Sequence, residues 1–349
     1  MNDEGASELE TRSVALGEPA QARVGRATRR IRQAGLLVLL AGMVVGFARA
    51  DPAFMHLANL MSVLQSVSVV AILGAGVTVT LAVGGFDLSI GAVAASGVMA
   101  ASYAMVVWRL DAIATVPMVL AFGAGVGLVN AGLIIWLRIP DLLATLAMNF
   151  LLTGLQLIPT AGQSISTGLT LPDGETANGV FDPHFLAIGR ARLGGVLPVP
   201  VLLMLGIAVA LHVLTQHTRF GRLLYAIGGN EVAARFAGAP TRRLRLTAYV
   251  ISGTLAALGG LVVAARVGRG DVSSGASLLL DAVAASLIGF AVLDRRYPNV
   301  FGTVVGAIFV GVLLNGLTML NAPYYTQDFV KGAVLVGALS LTFGLGRRP

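Results

Sequence analysis

The chain has 349 residues, of which 56% are hydrophobic and only 12% are charged. A soluble domain carries roughly 25% charged residues, so this composition excludes an ordinary soluble protein and favours a membrane protein. The net charge of +7 does not indicate nucleic-acid binding, because the basic residues lie at the edges of apolar runs, and the lack of cysteine excludes disulfides and thiolate metal sites.

The N-terminal segment differs from the rest of the chain because it is polar and rich in arginine. We expect residues 1–33 to be a disordered basic tail in the cytoplasm and residues 34–349 to be a transmembrane domain. Ala48-Arg49-Ala50 imitates a signal-peptidase site, but the basic region before it is too long for an ordinary signal peptide. The first apolar run is therefore predicted to be an uncleaved membrane span.

Apolar runs of about 20 residues recur along the remaining chain, which is typical of transmembrane helices. We therefore predict an all-α polytopic membrane protein with about ten transmembrane helices. The predicted spans are 34–50, 57–83, 88–107, 112–137, 141–160, 195–215, 246–266, 279–294, 300–320 and 327–345. Seventeen basic residues then fall on the inside and six on the outside, which places both termini in the cytoplasm. The segment 161–194 is predicted to be an irregular external loop.

Two short similarities predict that the spans form an inverted internal repeat. The sequence "AVAAS" occurs at 92–96 and again at 282–286, and "GLVNAGLIIWLRIP" (127–140) resembles "GVLLNGLTMLNAP" (311–323). In the predicted topology the two copies cross the membrane in opposite directions, which is the plan of many transporters. Chance similarity in a chain rich in alanine, valine and glycine is the alternative interpretation.

Few ionisable residues lie within or beside the predicted spans, the candidates being Asp87, Asp281 and Lys331. Gradient-driven carriers usually hold such residues in mid-membrane, so their scarcity favours another source of energy. Asp281 is predicted to cap the eighth span. For Lys331 two interpretations stay open, since it either extends to the headgroups or pairs with Asp328.

A translocation path is predicted from a helix break and two amides. Gly84 and Gly85 precede Asp87, so its carboxylate either caps free N–H groups at a break or contacts a solute. The repeat aligns Asn130 with Asn315, and neutral amides suit a polyhydroxylated solute better than an ion. We place Asp87, Asn130 and Asn315 on the path, with Gly84 and Gly85 as the helix-break glycines.

A basic loop, residues 216–246, interrupts the apolar pattern. Within it Asn230 is a good N-cap, Glu231 suits a first turn, and Gly238 followed by Ala-Pro is a good stop signal. A short helix with Phe236 as an apolar anchor is therefore predicted. Such a helix either inserts into a cleft of another protein or lies on the bilayer surface.

Four segments resemble, in the same order, those of ribose-type ABC importer permeases, the sugar branch of the sugar and branched-chain amino-acid permease family. The segments are "GGFDLSIGAVAA" (84–95), "NAGLIIWLRIPDLLATLAM" (130–148), the stretch 218–266 and "LLNGLTML" (313–320). The pattern E-x-A-A-x-x-x-G in the loop resembles the coupling motif through which importer permeases meet their ATPases. The resemblance runs from about residue 55 to the C-terminus.

This resemblance implies an inner-membrane permease subunit of an ABC importer for a monosaccharide or a related polyol. The implied ATPase-coupling residues are Asn230, Glu231, Ala233, Ala234, Phe236 and Gly238. The implied partners are two ATP-binding subunits that carry ATP and Mg²⁺, a second permease copy or a homologue, a periplasmic or lipoprotein sugar-binding protein, and membrane lipid. The chain itself is expected to hold no catalytic residue, cofactor or metal, because it has no GxxxxGK[ST] motif and no metal-ligand spacing.

Two positions depart from the family pattern. A glycine-rich turn of the family is replaced by Asp294-Arg295-Arg296, and an apolar position after proline is replaced by Asp141. We expect the bulkier charged turn to alter contact with the ATPase or the gate, and Asp141 to cap the fifth span.

Three rival functions stay open from the sequence. A permease for branched-chain amino acids or nucleosides would share the fold. A gradient-driven secondary carrier would share the inverted repeat but would leave the basic loop without a role. An integral membrane enzyme is disfavoured, because no Ser/His or His/Asp/Glu constellation is present.

Overall fold

The computed structural model describes residues 37–293 and 297–343 of the chain, so the predicted tail 1–33 and the Asp294-Arg295-Arg296 turn lie outside the described residues. The long helices are α1 (Leu37–Ala50), α2 (Leu57–Ala82), α3 (Ile90–Val106), α4 (Ala112–Ile135), α5 (Asp141–Leu155), α7 (Val199–His212), α10 (Thr241–Val267), α11 (Ala276–Leu293), α12 (Val300–Met319) and α13 (Tyr324–Phe343). The shorter helices are α6 (Pro183–Arg190), α8 (Arg219–Gly229) and α9 (Glu231–Phe236). Two hairpins pair β1 (Leu169–Thr170) with β2 (Thr176–Ala177) and β3 (Arg192–Leu193) with β4 (Leu197–Pro198).

Six helices in the described part of the chain are long and apolar enough to cross a membrane. They are α2, α4, α5 extended to Thr160, α7 extended to His217, α10 and α12. Shorter apolar helices lie at Leu37–Ala50, Ile90–Val106 and Ser277–Phe290. The prediction of a helical membrane protein with several spans is therefore confirmed.

Two helices, α2 and α10, form the centre of the bundle. Inside the structure 72% of the apolar window of α10 is buried, against 22% of the window that begins at Asp141, so α5 lies at the periphery. α10 packs against α3 and α4, whereas α2 packs against α11 and α12, and the two central helices also contact each other. The core is thus built on a pair of contacting helices.

Glycines bring α4 and α10 into backbone contact. A Cβ atom on Gly123 would collide with the carbonyl oxygen of Gly253, and a Cβ atom on Gly127 would collide with that of Tyr249. Small residues let membrane helices approach closely and gain van der Waals contact, which replaces the hydrophobic driving force that lipid does not supply. The face of α4 that packs on α10 therefore tolerates no side chain at these positions.

We expect Gly123→Ala to lower the melting temperature of the purified protein in detergent, because the added methyl group forces α4 away from α10 at a cost of about 1–3 kcal/mol. Gly125→Ala, on the same helix, is the matched control, since a Cβ atom at Gly125 meets nothing within 4 Å. Alanine favours a helix over glycine by about 1 kcal/mol, so this control should be neutral or stabilising. Equal melting temperatures for the two variants would contradict the close packing.

The segment predicted to be an irregular external loop is more ordered than expected, because it contains the β1–β2 hairpin, α6 and the first strand of the second hairpin. Asp182 caps α6 by accepting from the backbone N–H of His184 at 2.7 Å, and Pro183 occupies the first helical position. Asp182 also accepts from the backbone N–H of Ala112 at 3.0 Å, and the bonds from Ala112 and His184 lower the pKa of Asp182. The carboxylate thereby ties the segment to the start of α4.

The last residue of α6, Arg190, caps the C-terminal end of α10. Arg190 donates from Nε to the carbonyl oxygen of Arg266 at 2.9 Å and from Nη2 to that of Val267 at 2.8 Å. These carbonyl groups have no helical partner, so the guanidinium satisfies the last turn of α10. The segment thus covers one end of the central helix.

Candidate functional site

The connector between α7 and α10, residues 213–240, contains two short helices. Thr218 caps α8 by accepting from the N–H of Gly221, and Asn230 caps α9 by accepting from the N–H of Ala233 at 2.9 Å. Gly238 adopts φ +83°, a left-handed conformation that glycine takes without strain, and it ends the helix. The short helix predicted after Asn230 is therefore present, although it ends at Phe236.

α9 presents one face to solvent and one face to the bundle. Phe236 is 89% exposed, and Val232 and Ala233 are exposed beside it. Ala234 is only 7% exposed and belongs to the core cluster that contains α2 and α7 residues. The exposed aromatic ring is costly in water unless a partner covers it, so the outer face of α9 has the character of a binding surface.

A charge network connects α9 to α5 and α10. Arg245 donates from Nη1 to Glu231 Oε2 at 2.9 Å and from Nη2 to both carboxylate oxygens of Asp141, at 2.7 and 2.8 Å. Tyr249, one turn further along α10, donates its hydroxyl proton to Asp141 Oδ2 at 2.6 Å. Glu231 also accepts from Arg235 at 3.0 Å, the i,i+4 pair expected from the sequence.

The expectation that Asp141 caps the fifth span is wrong. Pro140 is the N-cap residue of α5 without a side-chain bond, and Asp141 is the first helical residue. Its carboxylate instead takes the guanidinium of Arg245 and the hydroxyl of Tyr249. Charge-assisted bonds of this kind are stronger than one bond to a backbone N–H, so the side chain points toward α10.

The helix break between α2 and α3 lies against the same network. Gly84 adopts φ +75°, and a Cβ atom there would lie 3.4 Å from the Cα atom of Gly228 in α8. A Cβ atom on Gly85 would lie 2.5 Å from Asp141 Oδ2 and 2.6 Å from the hydroxyl oxygen of Tyr249. Gly84 therefore lies against the connector, and Gly85 lies against the Asp141 carboxylate.

Asp87 and Asn130 meet in a buried polar cluster just beyond the break. Asp87 Oδ1 accepts from the N–H of Ser89 at 2.9 Å and from its hydroxyl at 2.6 Å, and Oδ2 accepts from Ser252 at 2.7 Å. Asn130 Nδ2 donates to the hydroxyl oxygen of Ser89 at 2.9 Å. Asp87 and Asn130 are each 1% exposed, so the cluster ties the break to α4 and α10 in a dry environment.

Asn315 lies apart from this cluster, near the C-terminal end of α12. It exchanges two 3.0 Å hydrogen bonds with Asn59 of α2 and borders a cavity of about 340 Å³. Arg266 and Asp281 also line this cavity, and Arg266 donates to Ser66 at 3.0 Å. The cavity lies between α2, α10, α11 and α12 and combines amide, hydroxyl and charged groups.

The predicted cap role of Asp281 is also wrong. Its carboxylate accepts from Lys331 Nζ at 3.2 Å, and Lys331 lies 3.1 Å from Asp328. Lys331 therefore pairs with Asp328, one of its two open interpretations, and with Asp281 as well. Asp281 and Lys331 thus form an ion pair between α11 and α13.

Sequence reasoning missed five side chains that complete these clusters. They are Asn59, Ser89, Arg245, Tyr249 and Ser252. The signal for two of them is that the spacing of Arg245 and Tyr249 places both on one face of α10. Within the described residues no group of three His, Asp or Glu side chains could hold a metal ion.

Comparison with known proteins places this chain among transport permeases. Residues 59–339 match the family described as "Branched-chain amino acid transport system / permease component". The chain is 34% identical over 310 residues to the ribose import permease protein of Escherichia coli strain K12, covering 88% of this chain and 92% of that protein. It is 32% identical over 333 residues to the ribose import permease protein of Haemophilus influenzae, covering 95% and 98%. It is 31% identical over 325 residues to the galactose/methyl galactoside import permease protein of Salmonella typhimurium, covering 89% and 94%. No solved structure matches the chain.

Proposed function

This chain belongs to the branched-chain amino acid transport system / permease component family, and from that premise we propose that it is the membrane permease subunit of an ABC importer for a monosaccharide. The relatives that cover most of the chain are named as permeases for ribose and galactose. The observation that carries the proposal is the exposed, capped helix α9, which is tied to the bundle by Glu231 and offers Phe236 outward. Such a surface fits a partner that supplies energy from outside this chain.

The proposed topology has ten spans, α1 to α5, α7 and α10 to α13, with both termini in the cytoplasm. An inverted repeat would pair α2 with α10, α3 with α11 and α4 with α12. Its support is the packing pattern, in which α10 contacts α3 and α4 while α2 contacts α11 and α12. Asn130 then lies near the cytoplasmic end of α4 and Asn315 near the external end of α12, as inversion requires.

The proposed mechanism runs from the connector to the break. Two ATP-binding subunits that carry ATP and Mg²⁺ would hold α9 through Asn230, Glu231, Ala233, Phe236 and Gly238, with Ala234 seated in the bundle. Closure of those subunits would pull Glu231, which pulls Arg245 and Asp141. Through Gly84, Gly85 and Gly228 the same motion would reach the α2–α3 break.

The proposed path runs from the cavity at Asn315 to the cluster of Asp87 and Asn130. The cavity of about 340 Å³ falls within the range of roughly 300–1,000 Å³ that small-molecule sites occupy. Its amide, hydroxyl and charged groups supply the donors and acceptors that sugar hydroxyls need. A periplasmic or lipoprotein sugar-binding protein and a second permease copy or homologue would complete the importer in the inner membrane.

The test is reconstitution in proteoliposomes with the ATPase and the sugar-binding protein that the proposal requires. We expect uptake of labelled monosaccharide that requires ATP and persists when an uncoupler collapses ion gradients, because the energy arrives through α9. Uptake of labelled leucine or a nucleoside instead of a sugar would replace the substrate assignment. Uptake without the ATPase, or collapse with the uncoupler at constant ATP, would contradict the ABC mechanism.

The same proteoliposomes test the path. Asn315→Ala should raise the sugar concentration that gives half-maximal uptake, while co-purification of the ATPase stays unchanged. Asn178→Ala, an exposed amide in the external segment, is the control and should leave uptake unaltered. Identical uptake curves for the two variants would remove Asn315 from the path.

A further inference from the structure

A second cavity lies beside α9, and two of its arginines, Arg138 and Arg242, have no role in the proposed transport function. Its volume is about 500 Å³, and it lies between the α4–α5 turn, α9 and the start of α10. Its charged lining consists of four arginines and two carboxylates: Arg138, Arg235, Arg242, Arg245, Asp141 and Glu231. Three isoleucines and a proline form the remaining wall.

The charges in this cavity do not cancel. Arg245 binds both carboxylates and Arg235 binds Glu231, so the internal pairs are accounted for. Arg138 and Arg242 have no ion pair with any residue that the structure describes. Two positive charges are therefore left for a ligand.

The apolar wall continues onto the outer surface of the bundle. Trp136 and Leu137, at the end of α4, are exposed, and so are Leu142 and Leu143, at the start of α5. Tryptophan prefers the boundary between headgroups and hydrocarbon, so an exposed tryptophan beside these leucines suits a surface that faces lipid. A ligand that bears a phosphate at one end and hydrocarbon at the other would satisfy both parts of the site.

We propose that this cavity binds the headgroup phosphate of an anionic phospholipid. The guanidinium groups of Arg138 and Arg242 match the geometry of phosphate oxygens, and basic pockets between membrane helices hold such headgroups. The leaflet is the cytoplasmic one, a point that rests on the proposed topology. A bound lipid would bridge the start of α10 to the α4–α5 turn through Arg242 and Arg138, which adds lipid control to the charge network of Asp141.

The test uses fluorescence quenching of Trp136 in the full-length protein. The chain has two tryptophans, so Trp108→Phe leaves Trp136 as the single reporter next to the cavity. In mixed micelles, phosphatidylglycerol with brominated acyl chains should quench Trp136 at about one-tenth the mole fraction that brominated phosphatidylcholine needs. Equal quenching by the two lipids would overturn the proposal.

A matched pair of charge variants locates the binding. Arg138→Gln with Arg242→Gln should remove the preference for phosphatidylglycerol, whereas Arg219→Gln with Arg243→Gln should keep it. Both pairs remove two positive charges, but Arg219 and Arg243 are exposed residues outside the cavity lining. Loss of the preference in both pairs would show a general effect of charge and overturn the site.

Two further arms separate the lipid from other occupants. Millimolar inorganic phosphate should leave the quenching preference intact, because free phosphate lacks the acyl chains that the apolar wall accommodates. Abolition by phosphate would assign the cavity to a soluble anion instead. Addition of the purified ATPase should likewise leave the preference in place, and displacement of the lipid would make the cavity part of the ATPase contact.

Discussion

Replacing Phe236 with alanine should abolish ATP-driven sugar uptake while the protein still inserts into the membrane and keeps its melting temperature. Phe236 is 89% exposed, so its ring contributes little to the stability of the isolated chain. It is also a large apolar group at the C-terminal end of α9, on the face that is exposed. If α9 is the ATPase contact, most of the binding energy at this surface resides in the ring.

The expected size of the effect follows from the behaviour of buried aromatic anchors at interfaces. Truncation of such an anchor to alanine costs about 2–4 kcal/mol of binding free energy, or about 30-fold or more in affinity. The measurement is the amount of ATPase that co-purifies with the variant, followed by uptake in proteoliposomes. Leu193→Ala is the control, because Leu193 is also exposed and apolar but lies in β3, outside the connector.

The proposed coupling role of Phe236 would be contradicted if Phe236→Ala kept full ATPase association and full uptake while its expression and melting temperature matched the wild type. A lowered melting temperature would instead show that the ring packs on this chain, and the more conservative Phe236→Leu would then measure the interface.

Replacing Arg245 with methionine should lower the melting temperature and separate ATP hydrolysis from uptake. The side chain of Arg245 is 18% exposed and holds Asp141 and Glu231 at the same time. Removing one partner of a mostly buried ion pair leaves the other charge without compensation, at a cost of about 3 kcal/mol. The loss also severs α9 from α5, so the ATPase would move α9 without moving the break.

A double-mutant cycle distinguishes this network from a general effect of charge. Asp141→Asn combined with Arg245→Met should lower the melting temperature no further than Arg245→Met alone, because the two groups act as a unit. Arg243→Met is the control, since Arg243 lies two residues away and is exposed. Additive losses from Asp141→Asn and Arg245→Met would mean that the ion pair does not join the two helices.

The features that the sequence predicts well are those set by neighbours along the chain. Apolar runs of sufficient length predict the membrane helices, and the cap at Asn230 with the stop at Gly238 predicts α9. α6 is also set by neighbours along the chain, because Asp182 caps it and Pro183 begins it. The prediction of an irregular loop gave more weight to the surrounding glycines and serines than to these two local signals.

The contacts that the sequence could not predict join residues far apart in the chain. Asp141 and Arg245 are separated by 104 positions, and Asn59 and Asn315 by 256. No local pattern indicates which polar side chains will meet inside a helical bundle. The interpretation of Asp141 as a cap therefore failed, because a cap needs only local residues whereas the guanidinium that binds the carboxylate comes from another helix.

The backbone contact between Gly84 and Gly228 has a consequence for engineering this protein. Chimaeras that receive the connector of another importer, in order to recruit a foreign ATPase, would bring a new residue to position 228. A side chain there would collide with the α2 carbonyl groups, since a Cβ atom on Gly228 already overlaps the oxygen of Ala82. A successful graft must therefore keep glycine at both positions 84 and 228. The ability to accept a foreign ATPase thus depends on the α2–α3 break as well as on the connector.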